Sequence, residues 1–122
     1  MIRGIGTDIV ETDRISRAIK KDYFLKRAFS DSEIAMAKER NTDVFLAGNF
    51  AVKEAFVKAL GIGFRGIGLK DLEVLRDKYG KPFIRICNPE NIHLMDINEK
   101  NIYVSISNTN SLVVAMVVIE VD

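Results

Sequence analysis

The distribution of apolar and polar residues over the first ten positions predicts a β-strand. In the segment 2–10, Ile5, Thr7 and Ile9 alternate with a second series of positions that holds two glycines, Asp8 and a valine. A period of two is the period of a strand, whose successive side chains point to opposite faces. Glycines within a strand lack a side chain, so another part of the molecule can approach this backbone closely.

A helical period follows this strand. Apolar residues recur at intervals of three and four from a cap at Thr12 or Asp13 to about Lys21, which predicts a first helix. On another face, Arg14, Arg17 and Lys21 recur at helical intervals. The helix is therefore expected to present a basic surface, with an ordinary solvated face as the alternative.

Two further helices are predicted before residue 61. Ser30 and Glu33 have the spacing of a capping box and begin a second helix that extends to about Arg40. The third begins near Asp43 and is expected to be the longest and most buried helix. Gly61 is expected to end it, because glycine readily adopts the left-handed conformation that follows a helix.

From residue 69 onward, short segments rich in β-branched residues alternate with turn residues, which predicts antiparallel strands. These strands are expected at 69–77, 81–87, 102–107 and 111–121. Segments 77–82 and 107–111 are typical of hairpin connections, and Asn88 followed by Pro89 fits the start of a short helix. The order of elements predicts an α+β fold, with helices packed against an antiparallel sheet.

Composition narrows the class of protein. The 122 residues, 48% of them apolar, are predicted to form one domain spanning 1–122. A net charge of +1 excludes a broadly basic nucleic-acid coat. The single Cys87 excludes an internal disulfide and is interpreted as a packing residue of a protein in a reducing compartment. Because the N-terminus has no basic leader followed by an apolar stretch, a cytoplasmic location is expected.

The apolar third helix contains three chargeable residues, Lys53, Glu54 and Lys58. Glu54 and Lys58 are four positions apart and share a face, a pattern that is also typical of a solvated ion pair. The apolar neighbours leave little solvated surface, so we expect these charges to have partners. Asp8 in its apolar strand has the same need, which Lys58 or a metal ion would meet.

The convergence of Asp8 and Glu54 would define a particular kind of site. Two carboxylates with room for water and substrate phosphates are typical of a Mg²⁺ site. Zinc would favour His or Cys ligands, and the single His93 lies in a polar segment that we expect at the surface. Together with Lys58 and the backbone amides of 61–64, such a site would suit a phosphate-bearing substrate.

Five motifs spread over nearly the whole chain resemble a known family. They are GIGTDIVETDRI at 4–15, RAFSDSE at 27–33, LAGNFAVKEAFVKALGIGF at 46–64, GKP at 80–82 and VSIS at 104–107. In this order they resemble the motifs of the holo-acyl-carrier-protein synthases, a small type of 4′-phosphopantetheinyl transferase. The resemblance implies transfer of 4′-phosphopantetheine from coenzyme A to a serine of apo acyl carrier protein, releasing adenosine 3′,5′-bisphosphate. It also implies a homotrimer with active sites between subunits.

The resemblance implies catalytic roles for three residues. Asp8 and Glu54 match ligands of Mg²⁺, for which Mn²⁺ is a chemical alternative, and Lys58 matches a lysine beside the phosphates of coenzyme A. The metal and Lys58 would neutralise the pyrophosphate, and a carboxylate, or a water that it orients, would take the serine proton.

Further positions are implied to bind coenzyme A, namely Gly61, Gly63, Pro82, Asn108 and Thr109. The two glycines would permit close approach of the cofactor, a role that competes at Gly61 with helix termination.

The carrier protein is implied to present an acidic helix to the basic surface. Arg14 and Arg27 match arginines of the family, and helical spacing adds Arg17 and Lys21. Steering by these charges should fade as salt concentration rises.

Two positions depart from the family pattern. Asn108 stands where the family has histidine, and Asn49 stands where it has arginine, so we expect weaker coenzyme A binding. Both departures leave open a catalytically silent relative that only binds coenzyme A or the carrier. An RNA-binding module is a third alternative, but without an aromatic stacking platform it has little support, so no nucleic-acid or membrane partner is expected.

Overall fold

The computed structural model describes residues 1–91 and 93–122 and has the α+β architecture that the sequence predicts. The helices are α1 (Thr12–Ala18), α2 (Asp22–Ala28), α3 (Asp31–Lys38) and α4 (Thr42–Leu60). The strands are β1 (Ile2–Glu11), β2 (Leu72–Arg76), β3 (Pro82–Ile86), β4 (Ile102–Asn108) and β5 (Leu112–Glu120). Single 3₁₀ turns precede β2 at Leu69–Asp71 and β4 at Glu99–Asn101.

The strands form two antiparallel sheets, which confirms the predicted strand direction. One sheet has the order β1-β5-β4, and the other is the β2-β3 hairpin. The predicted connections at 77–82 and 107–111 do join paired strands. In the first sheet Asp8 lies opposite Ala115, near the middle of β1.

Helix α4 packs directly on the backbone of β1. A Cβ atom on Gly4 would lie 1.9 Å from the carbonyl oxygen of Ala59, and one on Gly6 would lie 1.8 Å from that of Ala55. No side chain fits in this contact, which explains both glycines in the strand. The close approach predicted for this strand is therefore made by α4, and it holds Asp8 beside the C-terminal half of the helix.

Two of the predicted helix ends are confirmed. The Ser30 hydroxyl accepts a hydrogen bond from the Glu33 backbone N–H at 3.2 Å, and the Ser30 N–H donates to the Glu33 carboxylate at 3.0 Å. Gly61 ends α4 in the left-handed conformation, with φ of 80°. Both signals act locally, so they are readable without knowledge of the tertiary structure.

The first predicted helix is wrong in its extent. It ends at Ala18 rather than near Lys21, and Thr12 is its first residue while Glu11 is the N-cap. Lys21 has extended backbone, with φ of −89° and ψ of 112°, and is the N-cap of the separate helix α2. The break allows Phe24 of α2 to pack against Phe50 of α4, with ring centroids 6.2 Å apart.

The short helix expected at Asn88 and Pro89 does not form in the described residues, because 88–91 and 93–96 adopt turns. The Asn88 side-chain amide donates to the Asp71 carboxylate instead of capping a helix. Ile92, which that predicted helix could have included, lies outside the described residues. Among the described helices, none is both long enough and apolar enough to cross a membrane.

Candidate active site

The contact between β1 and α4 brings Asp8 and Lys58 together. The Lys58 ammonium lies 3.1 Å from the Asp8 carboxylate and donates to the carbonyl oxygen of Thr7 at 3.0 Å. The side chain of Asp8 is 15% exposed and that of Lys58 is 55% exposed, so the pair lies at the edge of the interior, open to solvent. Asp8 thus has the cationic partner that its apolar strand requires.

Glu54 lies one turn before Lys58 on α4 and belongs to the same group. Burial raises the pKa of its carboxyl group, and the negative charge of Asp8 raises it further, whereas the positive charges of Lys58 and Arg14 lower it. The charge of Asp8 therefore acts on Glu54, and the two carboxylates repel each other. We call Asp8, Glu54 and Lys58 the open cluster.

The open cluster has the composition of a magnesium site. In the described part of the chain, no group of three or more His, Cys, Asp or Glu side chains is arranged to hold a metal ion. Two carboxylates are nevertheless the protein ligand set that Mg²⁺ commonly takes, because water and substrate phosphates complete its coordination. A divalent cation between Asp8 and Glu54 would also remove their mutual repulsion.

Lys53, the third chargeable residue of this segment, lies apart from the open cluster. Its fully buried ammonium donates to the Glu33 carboxylate and to the carbonyl oxygen of Ala28, both at 2.7 Å. Burial lowers the pKa of Lys53, and the negative charge of Glu33 partly offsets that shift. The pair ties α4 to the start of α3 and the end of α2, so the role of Lys53 is structural.

Asn49 also belongs to this interior group, and the weaker coenzyme A binding expected from it stays a prediction. Its side chain is fully buried, and its amide donates to the Glu33 carboxylate and to the carbonyl oxygen of Val74, both at 2.9 Å. Asn49 lies on the face of α4 that points to the interior of the domain. We call Glu33, Asn49 and Lys53 the closed cluster.

The remaining residues implied to bind coenzyme A lie in different places. Gly61 and Gly63 follow α4 with φ of 80° and 64°, and open space surrounds the position of a Cβ on each. The hydroxyl oxygen of Thr109 accepts hydrogen bonds from the backbone N–H groups of Ser111 and Leu112, and so shapes the turn between β4 and β5.

Pro82 and Asn108 line a cavity of about 300 Å³ at the N-terminal end of α4. Gly48 also lines it, and ten helical residues separate Gly48 from Lys58, or about 15 Å along the axis. Within a single chain, this cavity is therefore separate from the open cluster. Sequence reasoning missed its two arginines, Arg40 and Arg76, because no local spacing relates residues that only the tertiary fold brings together.

The four residues assigned to the basic surface are all exposed: Arg14, Arg17, Lys21 and Arg27. They do not form one helical stripe as predicted, since the chain turns between α1 and α2 before Lys21. The Arg14 guanidinium lies 5.8 Å from the centre of the Phe50 ring and close enough to Glu54 to affect its charge. Arg27 lines a second cavity, of about 500 Å³. The basic surface therefore adjoins the open cluster at Arg14.

Comparison with known proteins identifies the class. The sequence profile of the 4′-phosphopantetheinyl transferase superfamily matches residues 4–117, and the chain belongs to this superfamily. A holo-[acyl-carrier-protein] synthase of Clostridium botulinum (strain Eklund 17B / Type B) is 49% identical over an alignment 123 residues long, which covers 99% of each chain.

Solved structures give the same result. A holo-(acyl-carrier-protein) synthase from Bacillus anthracis in complex with CoA (3′,5′-ADP) is 34% identical and superposes with a TM-score of 0.83 over 100% of this chain and 99% of that one. The Helicobacter pylori holo-[acyl-carrier-protein] synthase in complex with coenzyme A is 33% identical, with a TM-score of 0.82 over 95% and 99%. The predicted fold class and the predicted transferase of the holo-acyl-carrier-protein synthase type are confirmed.

Proposed function

We propose that the open cluster is the magnesium site at which this transferase moves 4′-phosphopantetheine from coenzyme A to a serine of apo acyl carrier protein. The products are holo acyl carrier protein and adenosine 3′,5′-bisphosphate, and the whole chain acts as one transferase domain. The convergence of Asp8, Glu54 and Lys58 between β1 and α4 carries the proposal. A group with two carboxylates and one lysine suits a substrate whose reacting part is a pyrophosphate.

Mg²⁺ prefers oxygen ligands, and the two carboxylates that would hold it supply them. Asp8 and Glu54 would supply the protein oxygens, and the bound Mg²⁺ would neutralise charge on the pyrophosphate and act as a Lewis acid. Mn²⁺ takes similar oxygen ligands, so it should replace Mg²⁺ in the assay.

Glu54 would take part in the proton transfer, and Lys58 would stabilise the charge on the phosphates. The serine oxygen forms a bond to the phosphorus that bears pantetheine, and the bond from that phosphorus to the bridging oxygen breaks. Glu54, directly or through a water that it or Asp8 orients, takes the serine proton. Lys58 would donate hydrogen bonds to the phosphate oxygens and stabilise the charge on the leaving bisphosphate.

The test is the intact mass of an apo acyl carrier protein incubated with the enzyme and coenzyme A. Transfer adds about 340 Da, and the gain should require Mg²⁺ or Mn²⁺ and disappear with a chelator. No gain with several carriers, despite coenzyme A binding, would favour a silent binding module instead. Asn108 stands at a position where the family has a titratable histidine, and an amide cannot titrate. This substitution is the observation that supports the second function.

We further propose that the active enzyme is a homotrimer whose sites lie between subunits. The face of the β1-β5-β4 sheet away from α4 exposes Ile5, Ile9, Tyr103, Val114 and Met116. Apolar side chains grouped on one face of a sheet are typical of a protein interface. A neighbouring copy at this face would also supply the cavity at Asn108, which one chain holds away from its own open cluster.

Native mass spectrometry tests the assembly. The expected mass is three times that of the chain, and Ile9→Asp should give monomers, because Ile9 is 60% exposed in the isolated chain and would be buried in the trimer. Met95→Asp is the matched control, since Met95 is similarly exposed but lies outside the sheet. A wild-type monomer with full activity would contradict this part of the proposal.

The carrier is proposed to dock on the basic surface, and the enzyme is proposed to act in the cytoplasm. The exposed guanidinium groups of Arg14, Arg17 and Arg27 support docking of an acidic helix. The unpaired, exposed thiol of Cys87 is compatible with a reducing compartment.

A further inference from the structure

Residues 61–68, which we call the connecting segment, follow α4 and start beside the open cluster. The first of them, Gly61, comes three residues after Lys58, or about 4.5 Å along the helix axis. Gly61, Gly63 and Gly66 all have positive φ, of 80°, 64° and 75°. Turns of this kind expose backbone N–H groups that suit an anion. A ligand with its pyrophosphate in the open cluster is therefore expected to contact the connecting segment.

The connecting segment is made of turns and bends, so its own hydrogen bonds fix little of it. At its start, the Gly61 N–H donates to the carbonyl oxygens of Val57 and Lys58, both at 3.1 Å. Glycine loses more conformational freedom on ordering than any other residue, and this segment contains four glycines between 61 and 68. Contacts from other parts of the chain are therefore needed to hold it in one conformation.

One carboxylate and two asparagine side chains hold the far end of the connecting segment. The Asp71 carboxylate accepts hydrogen bonds from the Gly68 N–H at 2.9 Å and from the side-chain amide of Asn88. The side-chain amide of Asn91 donates to the carbonyl oxygen of Gly66 and, at 3.5 Å, to the Asp71 carboxylate. We call Asp71, Asn88 and Asn91 the Asp71 network.

The Asp71 network is itself anchored in well-packed parts of the domain. The carbonyl oxygen of Asp71 accepts a hydrogen bond from the Cys87 N–H at 2.8 Å, which ties it to the residue after β3. The carbonyl oxygen of Asn91 accepts one from the N–H of Leu94, also at 2.8 Å, and Leu94 is only 1% exposed. The network thus joins a loose segment, through backbone groups of that segment, to the β2-β3 hairpin and the core.

We propose that Asp71, Asn88 and Asn91 are positioning residues that hold the connecting segment in the conformation that binds coenzyme A. When only a fraction of a protein is in its binding-competent conformation, the apparent Kd rises by the inverse of that fraction. Loss of the Asp71 network should therefore raise Kd and KM for coenzyme A. Saturating coenzyme A populates the bound conformation again, so kcat should stay close to that of the wild type.

This inference rests on the proposed function for the identity of the ligand, and two measurements keep the claims apart. Limited digestion with trypsin reports on the segment without any activity, because Arg65 is exposed within it. Cleavage there gives the fragments 1–65 and 66–122, which mass spectrometry distinguishes. Isothermal titration with coenzyme A and Mg²⁺, together with the kinetics of transfer, reports on the ligand.

Two variants weaken the Asp71 network in different ways. Asn91→Ala removes one amide and should accelerate cleavage after Arg65 and raise Kd and KM for coenzyme A about fivefold, with kcat within about twofold. Asp71→Asn keeps the size of the side chain but replaces an acceptor with a donor, so its effect should be at least as large. At saturating coenzyme A, neither variant should change KM for the apo carrier or the Mg²⁺ concentration for half-maximal rate, a selectivity that general loss of structure would not give.

Asp96→Asn is the matched control. It makes the same chemical change at an exposed position of the turn at 93–96 and should alter neither cleavage nor affinity.

Three outcomes would overturn the proposal. The Asp71 network does not serve coenzyme A if both variants are cleaved and bind it as the wild type does, or if cleavage accelerates while its affinity stays unchanged. A fall in kcat together with equal changes in both KM values would show a structural role alone. If the wild type neither binds coenzyme A nor modifies a carrier, the proposed function fails together with this inference.

Discussion

The closed cluster and the open cluster each take two residues from α4 and contain similar groups, yet they differ in how their charges are matched. In the closed cluster, the fully buried Lys53 meets Glu33 at 2.7 Å, and Asn49 occupies the other carboxylate oxygen. In the open cluster, Asp8 is paired with the partly exposed Lys58, and among the described residues no lysine or arginine nitrogen lies within 4.0 Å of Glu54. Charges in an apolar helix thus join elements of the fold where they are fully paired, and they leave capacity for a ligand where they are not.

The largest effect should come from breaking the closed cluster. Lys53→Met would leave the Glu33 carboxylate buried without its cation, and we expect it to lower the free energy of unfolding by about 3–5 kcal/mol. Lys58→Met is the matched control and should cost less than about 1 kcal/mol, because that ion pair is open to solvent. Urea unfolding at one protein concentration measures both. Equal losses would mean that the two clusters do not differ as described.

The next largest effect should appear in catalysis and only in the open cluster. Glu54→Gln removes a proposed metal ligand and base, so the transfer rate should fall at least about 100-fold, or about 2.7 kcal/mol in activation free energy. Its unfolding free energy should stay close to that of the wild type, since the carboxylate has no close cation there. Glu90→Gln, at an exposed position, should retain full activity. A Glu54→Gln enzyme of normal rate would remove Glu54 from the mechanism.

A smaller effect is expected at the basic surface next to the open cluster. Arg17→Glu should raise KM for the apo carrier by about threefold to tenfold without changing kcat, because exposed charges steer association. The difference should shrink at high ionic strength, where the Debye length falls to about 3 Å at 1 M salt. Lys100→Glu, exposed in the 3₁₀ turn before β4, is the control. A KM that does not respond to salt would argue against docking on this surface.

An effect of similar size, but on stability, should come from Gly61 at the end of α4. Its φ of 80° strains any other residue, and nothing lies within 4 Å of its Cβ position, so Gly61→Ala should cost about 1–2 kcal/mol or less of stability. If Gly61 only ends the helix, KM for coenzyme A will not change; an increase of several-fold would assign it the cofactor role as well. Gly68→Ala, at a negative φ, should change neither quantity.

Features with local causes could be predicted from the sequence. The capping box at Ser30 and the helix end at Gly61 depend on neighbouring residues alone. The need of Asp8 for a cation followed from its apolar strand, and Lys58 is the residue that meets it. The exclusion of side chains at Gly4 and Gly6 could also be anticipated, although only the fold identifies α4 as the neighbour.

Features with tertiary causes could not be predicted. The break before Lys21 accompanies the packing of Phe24 on Phe50, which helical spacing does not reveal. The inward direction of Asn49 depends on Glu33 and β2, and the pairing of Arg40 with Arg76 depends on where Phe45 lies. Such contacts join residues distant in the chain, and the polar pattern of each segment is compatible with exposure as well as with burial.

The most direct test of the open cluster is the rate of carrier modification as a function of Mg²⁺ concentration, measured for the wild type and for Asp8→Asn. We expect that chelation abolishes wild-type transfer and that Asp8→Asn needs at least about tenfold more Mg²⁺ for half-maximal rate, since one of two proposed protein ligands has lost its charge. A rate unaffected by chelation, or the same Mg²⁺ dependence in both proteins, would contradict the assignment of Asp8 and Glu54 as the metal site.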